Sequence, residues 1–177
     1  MTHLMIDLET VGLSSNAGII QIGAVSFDQN EITGIYHSLV SAESCERRGL
    51  TVDKDTLSWW NRQDPELRKY VFSGTKDIAE VLEEFLSGFP DARQYQVWSN
   101  GADFDLPIIK NALEVCGFRY PFDFRKHRCF RTLKALVPPV VYLEVPPNTK
   151  PHDALQDAMH QTHVTQACLR YLECLHI

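Results

Sequence analysis

Three short stretches of this sequence put acids where acids need a reason. The first is MIDLET, in which Asp7 and Glu9 stand two apart at the end of an apolar run. If that run is a strand, residues i and i+2 project from one face, so both carboxylates leave the sheet side by side. Two unpaired anions at close range repel, and burial adds to the cost. A divalent cation relieves both problems, and oxygen-only donors suit Mg²⁺ or Mn²⁺ better than Zn²⁺. The second stretch is NGADFDLPII, residues 100–109. Pro107 is tolerated only near a helix start, which places Asp103 or Asp105 in or just before a first helical turn. The helix dipole favours an acid there, as a cap or as a ligand. The third is PHDALQDAMHQ, residues 151–161, with His152 ahead of a helix and Asp157 one turn inside it. Such a pair can face one site, and an imidazole can accept a proton from water near neutral pH. Asp153 is expected to cap that helix.

The elements that must position these residues are legible in outline. Residues 3–8, 18–28 and 33–40 read as three strands opening the chain as a meander, with turns at Asn30 or Gly34. Residues 53–72 have helical composition, broken near Asp64-Pro65, and 77–87 form a further amphipathic helix. A fourth strand is expected at 95–99. A helix follows near 105–116, closed by Gly117 as its C′ residue. Residues 129–136 suggest a short helix, and 139–146, Pro-flanked and β-branched, an edge strand. From Ala154 to about Leu175, apolar residues recur at helical spacing. A meander followed by mixed helices and strands predicts one α/β domain with a mixed sheet.

Composition narrows the class. The chain has 177 residues, 44% hydrophobic and 23% charged, so disorder, collagen and coiled coil are poor readings. No apolar run approaches a membrane span of about 18 residues. The opening MTHLMIDLET lacks a basic n-region, which argues against a signal peptide. The five cysteines form no CxxC pair and read as reduced thiols in a cytoplasmic protein. The formal charge of −6 argues against coating long nucleic acid by bulk electrostatics, but leaves room for gripping one end of a strand. One segment runs against the balance. Residues 119–134 hold Arg119, Arg125, Lys126, Arg128, Arg131 and Lys134 against the single acid Asp123, a local +5 suited to phosphates. His160 and His163 stand three apart on the last helix, but no thiol or fourth ligand is placed to complete a zinc site.

The order is DxE, then Phe104-Asp105 after a Gly-containing turn, then His-x4-Asp at a C-terminal helix. It resembles the DEDDh 3′–5′ exonucleases, the superfamily of the polymerase proofreading exonuclease, ribonuclease T and oligoribonuclease. The stretches MIDLETVG, AGIIQIGAVSFD, TVDKDTLSWWNRQ, VWSNGADFD and Arg131-Thr132 are similar to a narrower branch. That branch comprises phage and prophage proteins labelled exonuclease VIII and a mycobacterial-type 3′–5′ exoribonuclease. The resemblance implies a ribonuclease H-like fold, a central mixed β-sheet flanked by α-helices, in a single exonuclease domain over residues 1–177. It implies that Asp7, Glu9, Asp105 and Asp157 hold two divalent ions, Mg²⁺ or Mn²⁺, with His152 as general base. Nucleoside 5′-monophosphates would be released from the 3′ end of single-stranded RNA or DNA. Relatives are often dimers, so a homodimer is within its scope. HDALQDA departs from relatives that carry Asn or Gly after the histidine, at a position that is not catalytic in the family.

Similar proteins hold the terminal nucleotide with the loop after the DxE motif, here Thr10, Val11, Gly12 and Leu13. Gly12 would permit close backbone approach, and Leu13 could wedge against a base. Trp59 and Trp60 are adjacent on a helix, so one packs inward while the other is free to stack on a base; Trp60 is carried as that candidate. Phe104 adjoins the acids, and Arg131 is the cation placed to meet a phosphate. Two other functions remain compatible with this sequence. One is a phosphodiesterase for short oligonucleotides or nucleotides. The other is a non-catalytic nucleic-acid-binding module on the same fold, which has no need of a general base.

Overall fold

The computed structural model describes residues 1–175. β1 (His3–Thr10), β2 (Ile19–Phe27) and β3 (Ile32–Leu39) form an antiparallel meander. β4 (Gln96–Ser99) and β5 (His127–Cys129) add in parallel on the other side of β1, so the sheet order is β3-β2-β1-β4-β5. β1 is central, and all eight of its residues are buried. The helices are α1 (Ala42–Arg47), α2 (Lys54–Trp60), α3 (Pro65–Val71), α4 (Ile78–Gly88), α5 (Asp105–Val115), α6 (Phe130–Leu136) and α7 (Ala154–Cys174). This is the expected mixed sheet flanked by helices. Among the described residues no helix is long and apolar enough to cross a membrane.

Local chemistry sets most of these boundaries. Asp53, Asp64, Asp77 and Asp153 each cap a helix by accepting backbone N–H groups of its first turn. Pro65 at the first position of α3 explains the break between α2 and α3. α5 ends in a Schellman motif: Phe118 N–H donates to Leu113 O at 2.8 Å and Gly117 N–H to Glu114 O at 3.0 Å. Gly117 supplies the left-handed φ of 81° that this closure needs.

Strand alternation divides the core into two layers. Leu4, Ile6 and Leu8 of β1 face α4 and α5, with Ile78, Val81, Phe85, Ile108 and Ile109. Met5 faces α6 and α7, with Val25, Phe27, Trp98, Phe130 and Ala158. Asp7 and Glu9 follow Met5 on that second face, as the period of two requires. A smaller cluster of Val11, Ile20, Trp60 and Val71 ties α2 and α3 beyond the end of β1.

Four expectations change. The edge strand predicted at 139–146 is a short 3₁₀ turn, Pro139–Val141, followed by further turns. Pro138 and Pro139 remove ladder donors there, and Val141, Tyr142 and Val145 pack on the α6/α7 core instead. Cys129 ends β5, and the helix begins at Phe130. β5 and α1 have only three and six residues, too few for periodicity to reveal. Gly34 lies inside β3, while the turn is made by Asp28, whose carboxylate accepts the Asn30 and Glu31 N–H groups.

One glycine decides how closely α7 meets the sheet. Gly23 of β2 lies opposite Asp7, and a Cβ there would collide with the backbone carbonyl of Ala154 at the start of α7. Gly23→Ala is therefore expected to cost about 1–3 kcal/mol in urea unfolding. Gly88→Ala, where a Cβ meets nothing, should be neutral or stabilising by up to about 1 kcal/mol.

Candidate active site

The ladder between β1 and β4 stops early. Pairing runs only as far as Met5 and Trp98, so the later N–H groups of β1 on that side have no strand to meet. Asp105, at the first position of α5, takes the vacant place: its Oδ1 accepts the Leu8 N–H at 3.1 Å. A carboxylate thereby completes the backbone pairing of the strand that carries Asp7 and Glu9. At the same strand end, a bulge between Glu9 and Thr10 breaks the register with β2 and turns the chain away from the sheet.

α7 closes the other side. Gln161 Nε2 donates to Asp7 Oδ1 at 2.7 Å. Asp157 accepts the Asn148 amide on Oδ1 at 2.8 Å and the His152 backbone N–H on Oδ2 at 2.7 Å. His152 has φ 66°, a left-handed conformation that costs a non-glycine residue about 1–3 kcal/mol, and its bond to Asp157 holds it there. Glu9, His152 and Asp157 each bring a donor atom within 4.8 Å of the other two. The His152 ring meets the Trp59 ring edge to face, with centroids 4.9 Å apart.

The electrostatics are lopsided. Asp7, Glu9 and Asp105 are all buried. Burial first, then the charges of Asp105, Glu9 and Asp157, raises Asp7 well above the carboxylate range. Burial and the charges of Asp157 and Asp105 push Glu9 up to about 9. Burial raises Asp105 to about 7, against the opposing pull of the Leu8 N–H and the Arg131 guanidinium. Asp157 is raised by burial, against the His152 N–H and the Asn148 amide. Among the described residues, no lysine or arginine pairs with any of the four acids. A set of oxygen donors that repel one another and lack a cation fits hard divalent ions.

A cleft of about 490 Å³ opens beside Glu9, lined by Thr10, Leu13, Trp59, Trp60, Arg62 and Phe104 among others. Leu13 is 75% exposed at its rim. Gly12 is buried, and its carbonyl accepts the Thr10 hydroxyl at 2.8 Å, which tightens the loop. Trp60, expected to reach the substrate, is instead the buried member of the pair: it is 1% exposed, and its indole N–H donates to Thr10 O at 2.9 Å. The helix turns Trp60 toward Val11, Ile20 and Val71 and leaves Trp59 half-buried at the cleft. Arg131 lies over Gly101, where a Cβ would strike the guanidinium, and 4.0 Å from Asp103.

The basic run does not act as one surface. Parallel pairing puts the N-terminal ends of β4 and β5 together. Arg119 and Asp123 line a separate cleft there with Arg93, and Lys126 is bonded to the carbonyls of Arg93 and Gln94. That is the end of the sheet away from Asp7 and Glu9; Arg131 stands at the acidic end. Two site contacts escaped the sequence reading. Gln161 is four residues beyond Asp157 on one helix face, a spacing that could have pointed to it. Asn148, on an irregular segment, carried no such signal.

Solved structures share this architecture. The nuclease domain of 3′hExo, a DEDDh family member bound to rAMP, superposes with a TM-score of 0.64 at 14% identity, covering 96% of this chain and 92% of that one. Exonuclease I of E. coli in complex with an oligonucleotide gives 0.64 at 13% identity, covering 98% of this chain and 42% of its own. The fold is that of a ribonuclease H-like nuclease domain of the DEDDh 3′–5′ exonuclease class. Within that class the chain belongs to the Rv2179c-like family, the 3′–5′ exoribonuclease Rv2179c-like domain, whose model matches residues 2–169. The exodeoxyribonuclease of Enterobacteria phage T4 is 27% identical over 129 residues, 62% of this chain and 54% of that protein. The 3′–5′ exonuclease DinG of Staphylococcus haemolyticus is 26% identical over 137 residues, 75% of this chain and 13% of that protein. The chain thus spans about half the T4 relative and a small part of DinG.

The raised carboxylates make the stability of the metal-free protein depend on pH. Glu9 keeps its proton in the fold up to about 9 but releases it near 4.5 when unfolded. The unfolded chain therefore binds fewer protons between those values, and stability falls as pH rises through that window. Thermal melts in EDTA should show this fall from about pH 5 to pH 9. Asp7→Asn should flatten it, and added Mn²⁺ should raise the melting temperature most at the alkaline end.

Proposed function

We propose that this domain removes nucleotides from the 3′ end of single-stranded RNA or DNA and releases nucleoside 5′-monophosphates. The observation that carries this reading is the meeting of Asp7, Glu9, Asp105 and Asp157, none of them paired with a lysine or arginine among the described residues, with His152 against Glu9 and Asp157 and a nucleotide-sized cleft beside Glu9 and Trp59. The four carboxylates would hold two divalent ions, Mg²⁺ or Mn²⁺. Bound there, such ions supply positive charge to the phosphate oxygens and lower the pKa of water.

The chain's own groups do the rest. His152 accepts the proton of the attacking water, and the edge-on Trp59 ring limits where its imidazole can sit. Leu13 and Phe104 flank the terminal base, Trp59 offers it an aromatic face, and the Thr10–Gly12 turn carries the backbone to the sugar. Arg131, half-free above Gly101, meets a phosphate oxygen of the scissile group or its neighbour. A second reading, a phosphodiesterase for short oligomers, is favoured by one observation. Arg119 and Lys126 lie at the far end of the sheet, so near the acids a trailing strand meets Arg131 and the cleft-lining Arg62 rather than the whole basic run.

Purified protein with 5′-labelled single-stranded RNA and DNA tests both readings. A ladder shortening from the 3′ end in Mg²⁺ or Mn²⁺, and absent in EDTA, is expected, and the faster polymer names the sugar. Cleavage confined to di- and trinucleotides would select the second reading. His152→Ala and Asp7→Asn should each lower kcat by about a hundredfold or more, and full activity in either would remove that residue from the reaction. Trp59→Ala should lower kcat/KM by about tenfold through lost stacking. Trp60→Ala should instead cost about 3–5 kcal/mol of stability, the usual price of emptying a buried indole site.

A further inference from the structure

Behind His152 lies a polar chain that runs from a buried glutamine out to the surface at Tyr70. Gln21 stands on β2 opposite Glu9 and is fully buried. Its Oε1 accepts the Ala154 N–H at 3.0 Å. Its Nε2 donates to Asp153 Oδ1 at 3.4 Å and lies 2.9 Å from His37 Nε2 on β3. Tyr70 Oη of α3 lies 3.4 Å from the same imidazole nitrogen. Burial holds His37 below the ordinary imidazole range, which keeps it the neutral acceptor that an amide N–H requires.

Both ends of the Gln21 amide are thus committed to residues 153 and 154, the two that follow His152. The left-handed turn at His152 is gripped from two sides: its own N–H is held by Asp157, and the chain just after it by Gln21. A fully buried glutamine has no solvent to share its bonds with. Gly23, two residues along on the same strand face, removes the side chain that would push α7 away.

We propose that Gln21 is a positioning residue for His152: by clamping Asp153 and Ala154 it fixes the turn that presents the imidazole to Glu9 and Asp157. This rests on the reading of His152 as proton acceptor. Gln21 touches neither substrate nor ions and acts only through the histidine. Loss of the clamp lets the ring wander while the cleft that binds the substrate stays as it is.

A double-mutant cycle tests the assignment in steady-state cleavage kinetics. Gln21→Met keeps the side-chain length and removes both polar ends. It should lower kcat by about ten- to a hundredfold, with KM within about twofold. In a His152→Ala background the same substitution should cost nothing further. An equal loss in both backgrounds, or a rise in KM alone, overturns the positioning role while leaving the general-base reading intact. Full cleavage by His152→Ala by itself overturns that reading and the proposal with it. If Gln21→Met does not fold, Gln21→Asn takes its place in the cycle, since it keeps a buried amide too short to reach both partners. Its outcomes are read the same way.

Discussion

Mutual repulsion among Asp7, Glu9, Asp105 and Asp157 is the constraint on which the rest of this structure depends. Burial raises all four, and the charges of the set raise Asp7 and Glu9 further. A protein holds such a set together only by packing it from stiff elements and matching it with a cation. Here the stiff element is β1, central in the sheet and buried along its whole length. Its alternation supplies two of the acids on one face. The apolar residues of the same strand, sealed against α4 and α5, supply the stability that the acids do not.

The remaining members arrive through places where regular structure is interrupted. The β1–β4 ladder ends early, and Asp105 fills the gap by accepting a backbone N–H. The turn before α7 is left-handed at His152, and Asp157 holds it by the backbone. The register of β1 and β2 slips at Glu9. Each interruption spends a little backbone order to bring a polar group to one point, the arrangement expected where strain serves a site. Gly23 allows these pieces to close on one another, because only a bare Cα lets α7 approach β2 there.

The charge distribution follows the same logic. In a chain of net −6, most of the positive charge of the basic run is not brought to the acids. Arg131 is the member of the basic run that the fold brings near Asp105, while Arg119 and Lys126 serve the opposite end of the sheet. On the proposed reading, bound divalent ions would add to the attraction for a polyanion that Arg131 and the cleft-lining Arg62 offer.

Much of this was legible in the order of residues, because it rests on local rules. The two-residue spacing of Asp7 and Glu9 puts them on one strand face whatever the partner strands are. Pro107, Asp153, Pro65 and Gly117 mark helix ends by the hydrogen bonds they refuse or supply. Contacts across the fold obey no such rule. Nothing in the spacing ties Gln161 to Asp7 or Gln21 to Ala154, partners 154 and 133 residues apart. The orientation of the Trp59-Trp60 pair came from the packing of α2 on Val11, Ile20 and Val71. The basic run is continuous in sequence but split in space, because β5, parallel to β4, carries the chain from the end of the sheet that holds Arg119 and Lys126 to the end that holds Arg131. Local chemistry determined which groups the protein has to work with. Long-range packing, where strand register and close approach are decided, determined which of them meet.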